Sequence, residues 1–392
     1  MRKIVFLLVT LLVLLSCNNG KSRFLFSVHE TDFVNKSKIT VKATRADVDL
    51  PLGVSNLAIC DSFFIVMFYN GGPLMNVYSL DWDLLGRFCY KGRAKNEFLE
   101  IPHMLSRQTL KGENGNILIP LREGFSSLSS NIKVLDLQQS LQSQKTTIVM
   151  EKPFYPYTMA KSGGEEGYYI FPRTFDFVYL NNDINQIFRA NSMFNDKDGA
   201  LYGRDYEVMD DSIQKKYFKM LSHDFPEDFD YVGGQLYKHP SRNLIIEPLM
   251  YMDYILFFDL DNDTTFAIHQ KGSLSFDDKL SPVVYTTITN LAGDEETMDP
   301  RPIHFANFAA TESFFMVYYG AGDYTVNQPD PMNAAPELLF FDWDGNFLKS
   351  VMMDVCVSDI VYDEKSHTLY GLDHSNECIL GFDLSEVVAD IK

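Results

Sequence analysis

The 392-residue chain is poor in cysteine, with five, and in tryptophan, with two, and it carries 34 basic residues against 53 acidic ones. The cysteines form no C-x-x-C pair and no Cys/His spacing suited to a metal, so no metal site or redox dithiol is expected. Eight histidines make no H-E-x-x-H, and neither a G-x-S-x-G elbow nor a phosphate-cradling glycine loop occurs. Covalent hydrolysis and nucleotide chemistry thereby lose their support. A formal charge of −19 repels phosphate backbones and argues against nucleic acid as a partner. The apolar run Ile4 to Leu15, broken only by Thr10, is about half the roughly 20 residues that span a bilayer core. A stable transmembrane helix is not expected from it.

What that run does resemble is an export signal. Arg2 and Lys3 precede it, and Leu14-Leu15-Ser16-Cys17 closes it with a lipobox pattern. Cleavage before Cys17 would leave a lipidated N-terminal cysteine, with residues 1–16 as signal peptide and 17–37 as lipidated N-terminus and tether. Removal of Arg2 and Lys3 leaves 32 bases against 53 acids, or −21. A lipid at Cys17, not a basic patch, is then what holds the domain to a membrane. The remaining cysteines, Cys60, Cys89, Cys356 and Cys378, read either as buried free thiols or as the pairs Cys60/Cys89 and Cys356/Cys378, each within one repeat. With 46% hydrophobic and 14% aromatic residues, the chain can bury a large core.

The core is repetitive. Both tryptophans sit in Asp-Trp-Asp, at 81–83 and 342–344, each after an apolar strand and before a turn and a second strand. Related phrases return at NIKVLDLQ (131–138), FDFVYLNND (175–183), YILFFDLDND (254–263) and CILGFDLS (378–385). Upstream of each stands a polar turn leading into a β-rich run, at about positions 61, 114, 165, 241, 311 and 363. Another short segment precedes each turn. Segment, strand, strand, strand, repeated about every 50 residues, is the pattern of a β-propeller blade. The expected architecture is all-β: a six-bladed propeller of four-stranded antiparallel blades over residues 38–392, with a small helical insertion. Two longer intervals place insertions at about 190–228, where EVMDDSIQKKYFKML (207–221) has helical spacing, and at about 272–300, read as a long loop. The last blade lacks an outermost strand, which KITVKAT (38–44) is expected to supply, removing a free sheet edge.

At LDWDLLGRFCYKGRAKNEFLEIP (80–102) the chain resembles the six-bladed, NHL/TolB-like propeller lipoproteins of the Bacteroidetes. Gly92, Glu97 and Phe98 fit that family's G-x-G-x-x-E-[FY] phrase, while Ala94 stands where a second glycine is common. The resemblance implies a fold and an outer-membrane lipoprotein, and little chemistry. Surface-displayed members often carry acidic residues after the lipidated cysteine. Here Asn18-Asn19-Gly20-Lys21-Ser22-Arg23 follows, which favours the periplasmic face.

No catalytic residue, metal site or cofactor is assigned from the sequence. Asp259 to Asp263 opens like a calcium loop, but Thr264 and Gln270 replace the required glycine and glutamate, so it reads as a hairpin turn. A ligand site, if central, would draw on the first segments of the blades: Asn56, His103, Arg107, His304, Asn307 and Asp359. The loop 320–335 is longer than a hairpin needs, and Tyr324, Asn327 and Gln328 suit a polar or sugar-like partner, though it serves equally as filler. The expectation is a monomeric, non-catalytic binding propeller for a protein, peptide or glycan. The alternative is a propeller lyase or lactonase with a metal in its channel.

Overall fold

A computed structural model of the chain describes residues 27–34, 36, 39–104, 110–112, 114–123, 130–155, 166–170, 177–181, 186–190, 201–202, 207–208, 237–242, 244–249, 252–259, 262, 264–274, 286–289, 295–298, 303–325, 328–329, 336–373 and 376–391. They form six meander sheets, plus one separate hairpin. The first sheet shows the unit in full: Val54–Cys60, Phe63–Phe68, Pro73–Ser79 and Leu84–Tyr90 pair antiparallel in chain order. The innermost strands of the fifth, sixth and first sheets, Ile303–Ala310, Ile360–Asp363 and Val54–Cys60, are neighbours in turn. The last sheet of the chain thus packs beside the first. The fold is a β-propeller.

Hydrophobic cores lie between sheets, not within one. Phe88 and Leu74 of the first sheet pack with Ile119 and Leu135 of the second. Phe257 of the fourth meets Phe315 and Phe341 of the fifth, Phe340 of the fifth meets Leu369 and Phe382 of the sixth, and Ile379 of the sixth meets Phe64 and Val66 of the first. The first, fifth and sixth sheets therefore have two apolar faces, which is why strands such as FFIVMF read as near-continuous hydrophobic runs and lack alternation.

The N-terminal segment stitches three sheets together. Ser27–Thr31 runs parallel to Thr264–Gln270 on the outer edge of the fourth. Phe33, fully buried, wedges between the fourth and fifth with its ring 5.4 Å from that of Phe341, and Gln270 Oε1 accepts from the Phe33 and Val34 backbone N–H groups at 2.8 and 3.0 Å. Thr40–Val41 then lies parallel to Phe347–Met353 of the fifth. Ala43–Arg45 pairs antiparallel with Cys378–Asp383 and completes the sixth sheet as its fourth strand. The tether expected over 17–37 is thus too long. Its second half is packed, because Phe33 gains about 1.5–3 kcal/mol by leaving water.

Two further expectations need correction. The loop expected over 272–300 contains the hairpin Thr286–Thr289 with Glu295–Met298, in keeping with its β-branched threonines. The helix expected over 207–221 begins instead with a strand, Glu207–Val208, paired to Phe188 and Arg189, since an open sheet edge offers those backbone groups partners at once. Residues 209–221 lie outside the described set. The described helices are elsewhere. One, α1, covers Leu137–Ser143 and is capped by Asp136, whose carboxylate accepts from Gln139 N. The other, α2, covers Ser385–Ala389 and seats Val387 and Val388 between the fifth and sixth sheets.

Deleting residues 30–46 removes the Phe33 wedge and the fourth strand of the sixth sheet together. The truncated chain is expected to lose its cooperative thermal transition in circular dichroism. An unchanged melting profile would show that the stitching is dispensable.

Candidate functional site

Among the inner-strand candidates, Asp359 and His304 are engaged in bonds between sheets. Asp359 precedes the innermost strand of the sixth sheet, is 5% exposed, and its Oδ2 accepts from Leu57 N of the first sheet at 2.6 Å. The carboxylate is a latch across the closure. His304 lies on the innermost strand of the fifth sheet, with Nδ1 2.5 Å from Asp253 Oδ1. Tyr319 donates to the same oxygen at 2.7 Å. Burial pushes Asp253 up, but the hydrogen bond and charge of His304, with the bonds from Tyr319 and Ser273, outweigh it and hold the carboxyl below its ordinary range. Burial and the Asp253 charge push the Tyr319 hydroxyl far up, so it is a fixed donor. Asp253 comes from the turn between the fourth sheet's second and third strands, so this cluster ties the fourth sheet to the fifth.

Asn56, half-buried, follows a β-bulge in the first sheet's innermost strand, and Asn307 pairs with Tyr318. His103 faces Arg122 across the second sheet. Its burial first, and the Arg122 charge second, lower its pKa to about 4. Arg107 and Asn327 lie outside the described residues. Tyr324 and Gln328 belong to no loose loop: the strand Phe314–Thr325 continues past the sheet, and Tyr324–Thr325 pairs with Gln328–Pro329. An extended run satisfies its backbone groups by pairing, which an open loop would leave to water. Among the described residues no group of three or more His, Cys, Asp or Glu is arranged to hold a metal, and Cys17 lies outside the described set. Cys60, Cys89, Cys356 and Cys378 are free thiols. Burial pushes Cys60 up to about 12, which makes it a poor nucleophile.

The sequence did not disclose a second place. A half-open cleft of about 380 Å³ lies between residues 47–51, which lead from the N-terminal strap (27–45) to the first sheet, and the outer two strands of that sheet. Asn76 and Tyr78 form its floor, 1% and 3% exposed, with Trp82 beside them and Asp47, Asp49 and Arg87 exposed at its rim. Asn76 Nδ2 donates to the Tyr78 hydroxyl oxygen at 3.0 Å. Asn76 Oδ1 has no partner among the described residues. Turning the amide over merely exchanges which end is orphaned, and a buried orphan of this kind costs about 1–3 kcal/mol. Burial raises the pKa of Tyr78, against the Asn76 bond and the Arg87 charge, so its hydroxyl keeps a proton to donate.

Trp82 is the conformational outlier of this cleft. Its φ is +69°, in the left-handed region that side chains other than glycine avoid. The turns of the first and fifth sheets superpose by hydrogen bond: Ser79 N to Asp83 O and Trp82 N to Ser79 O match Asp342 N to Asn346 O and Gly345 N to Asp342 O. The structural counterpart of Trp82 is therefore Gly345, φ +85°, not Trp343. The two Asp-Trp-Asp phrases are out of register by two residues. At Gly345 a Cβ would meet Phe266 and Ile268 at 2.9 and 3.0 Å, so the neighbouring sheet fills that space. In the first sheet the indole stacks on Phe64 at 4.2 Å and meets Tyr370 edge-on at 5.5 Å. Trp343 by contrast is 4% exposed and donates Nε1–H to Thr311 O at 3.0 Å.

The sequence matches no protein-family model and no curated protein. Among solved structures the chain is similar to a protein described as exported from Bacteroides fragilis (10% identity, 91% of this chain and 98% of that one, TM-score 0.47). It is also similar to an auxiliary nutrient binding protein from Bacteroides thetaiotaomicron (12%, 84% and 68%, 0.42) and to the WD40 repeats of RRP9 (10%, 88% and 97%, 0.43). These are likenesses of chain path, and nothing about ligands carries over from them.

Asp359→Ala leaves the Leu57 N–H without its acceptor at the ring closure, and denaturant unfolding is expected to show a loss of about 1–3 kcal/mol. His103 takes a proton near pH 4 in the folded chain and near pH 6.5 in the unfolded one. The unfolded state therefore binds more protons across that window, and stability falls as pH drops through it. In His103→Gln the fall in melting temperature between pH 6.5 and 4 is expected to be shallower. A parallel pair of curves would count against the assignment.

Proposed function

We propose that the chain is a lipid-anchored envelope protein whose propeller, a six-bladed ring of the TolB-like lipoprotein kind, binds a protein, peptide or glycan partner without transforming it. The observation that carries the binding role is the cleft of the first sheet, where a buried amide end without a partner and a strained tryptophan adjoin open space on a rigid scaffold. Local violations of good packing of this kind are kept where a ligand completes them. The histidine and carboxylates at the inner strands support the non-catalytic side of the reading. His304, Asp253 and Asp359 are engaged in bonds between sheets, which suits them to holding geometry.

The lipobox at Cys17 supports the anchor, and the strap sets its reach. Ten positions separate Cys17 from Ser27, at most about 35 Å of chain. The propeller would hang close to the membrane from the outer edge of its fourth sheet, on the periplasmic face of the outer membrane.

Metabolic labelling with an alkyne fatty acid tests the anchor. The native chain is expected to take the label and sediment with membranes, and Cys17→Ala to do neither. An unlabelled native chain would overturn the anchor. A stoichiometric metal with metal-dependent turnover in the purified protein would overturn the non-catalytic reading.

A further inference from the structure

We infer that the cleft of the first sheet is a saccharide site that seats one neutral, polyhydroxylated ring, or two, against Trp82. The inference deepens the proposed binding role and rests on it.

The layering of the cleft selects the ligand. Its floor is neutral and buried: Asn76 and Tyr78 are 1% and 3% exposed and bonded to each other. A charged group pushed to that depth would lose its hydration without a counter-charge, so the part of the ligand that enters must be uncharged. It must also be polar. One end of the Asn76 amide wants a partner, and the Tyr78 oxygen, already accepting from Nδ2, still has its proton to give. A hydroxyl both donates and accepts, so a single ring carrying several can satisfy an amide oxygen and a phenol proton side by side.

Around this floor stand an aromatic ring and ions of both signs. Trp82 rests one face on Phe64 and lines the cleft, and its indole N–H, unlike that of Trp343, has no acceptor among the described residues. Arg87 lies opposite Asn76 in the sheet register, and Asp47 and Asp49 face it from the strap side. Arg87 makes no contact-range ion pair with either aspartate among the described residues. Donors and acceptors thus line the same cleft and remain available to ring hydroxyls. The volume, about 380 Å³, lies within the range of small-ligand pockets.

The opening has a cause in the topology. The fourth strand of the sixth sheet is only Ala43–Arg45, after which the chain crosses to the first sheet. Where the fourth sheet fills the position beside Gly345 with Phe266 and Ile268, the place beyond the short strand is taken by the indole of Trp82, against Phe64 and Tyr370, and by residues 47–51, which line the cleft with it.

The detergent-solubilised full-length chain, applied to a microarray of neutral mono-, di- and oligosaccharides, is expected to bind at least one, with calorimetry of that sugar giving the affinity. Arg87→Met, at an exposed rim position, is expected to weaken it at least tenfold with no change in melting temperature. Asn76→Leu is expected to abolish it, since the apolar side chain offers a ring hydroxyl neither donor nor acceptor. A structural role for Asn76 would show the opposite: a lowered melting temperature with affinity retained. Saccharide binding unchanged in both variants would overturn the cleft and leave the binding function standing. No binding to any neutral saccharide would overturn the inference while leaving a protein or peptide partner open.

Discussion

A meander of four strands with two apolar faces cannot stand alone. The first, fifth and sixth sheets hide their side chains against neighbours on both sides, so their stability depends on the ring being closed. Closure falls between the sixth and first sheets and relies on two devices far apart in sequence. Asp359 reaches across to the Leu57 N–H, and the N-terminal strap supplies the sixth sheet with its fourth strand. A carboxylate accepting a backbone N–H in a buried position is stronger than a neutral bond and intolerant of loss. The strap adds what a side chain cannot, by covering the outer edges of the fourth and fifth sheets on its way and so removing pairing surfaces that would otherwise invite aggregation.

The same logic explains the G-x-A-x-x-E-F phrase that carried the family resemblance. Glu97 folds back so that its Oε2 accepts from Ala94 N at 2.9 Å, and a Cβ on Gly92 would lie 1.8 Å from that oxygen. Phe98 is fully buried, with the Lys133 ammonium 4.8 Å from its ring centre. Lys133 also donates to Glu97 O at 2.6 Å and stands 3.4 Å from the buried Glu123 carboxylate. The phrase is a joint between the first and second sheets. It needs no ligand to account for it, which is why it speaks of architecture and is silent on chemistry.

Much of this was legible because the repeat is written in strand-ending aspartates. Asp259 and Asp342, at the ends of the third strands of the fourth and fifth sheets, each accept from the backbone and side-chain amides of an asparagine three or four residues on, Asn262 and Asn346, and Asp373 with Asn376 repeats the chemistry after a second strand. Capped turns are local, and local physics survives in a linear sequence. The parallel strand at Ser27–Thr31 was not legible, because its partner is more than 230 residues away and its apolar content is slight. Helix α1 was missed for a different reason: LQQSLQS carries a weak apolar stripe, and the Asp136 cap with packing on the first and second sheets fixes it. Two of the inner-strand candidates, Asp359 and His304, are engaged with an adjoining sheet. Sequence gives a side chain's address on a strand but not what the adjoining sheet presents to it, and for Asp359 and His304 the adjoining sheet presents a structural partner.

The cleft lay hidden in the one place where the repeat misleads. Matching Asp81-Trp82-Asp83 to Asp342-Trp343-Asp344 assumes that equal tripeptides occupy equal positions, whereas the hydrogen bonds set Trp82 over Gly345. A tryptophan in a left-handed turn position costs on the order of 1–3 kcal/mol, and the orphaned Asn76 amide adds a similar penalty. Both fall within one cleft, at the ring's point of closure. Either defect alone could be tolerated as accident in a fold of this size. Their coincidence around open volume is what distinguishes the first sheet from the fifth, where glycine relieves the strain and Phe266 and Ile268 close the space. The fold thus makes the opening by the way its ends meet, and the sequence keeps the opening polar.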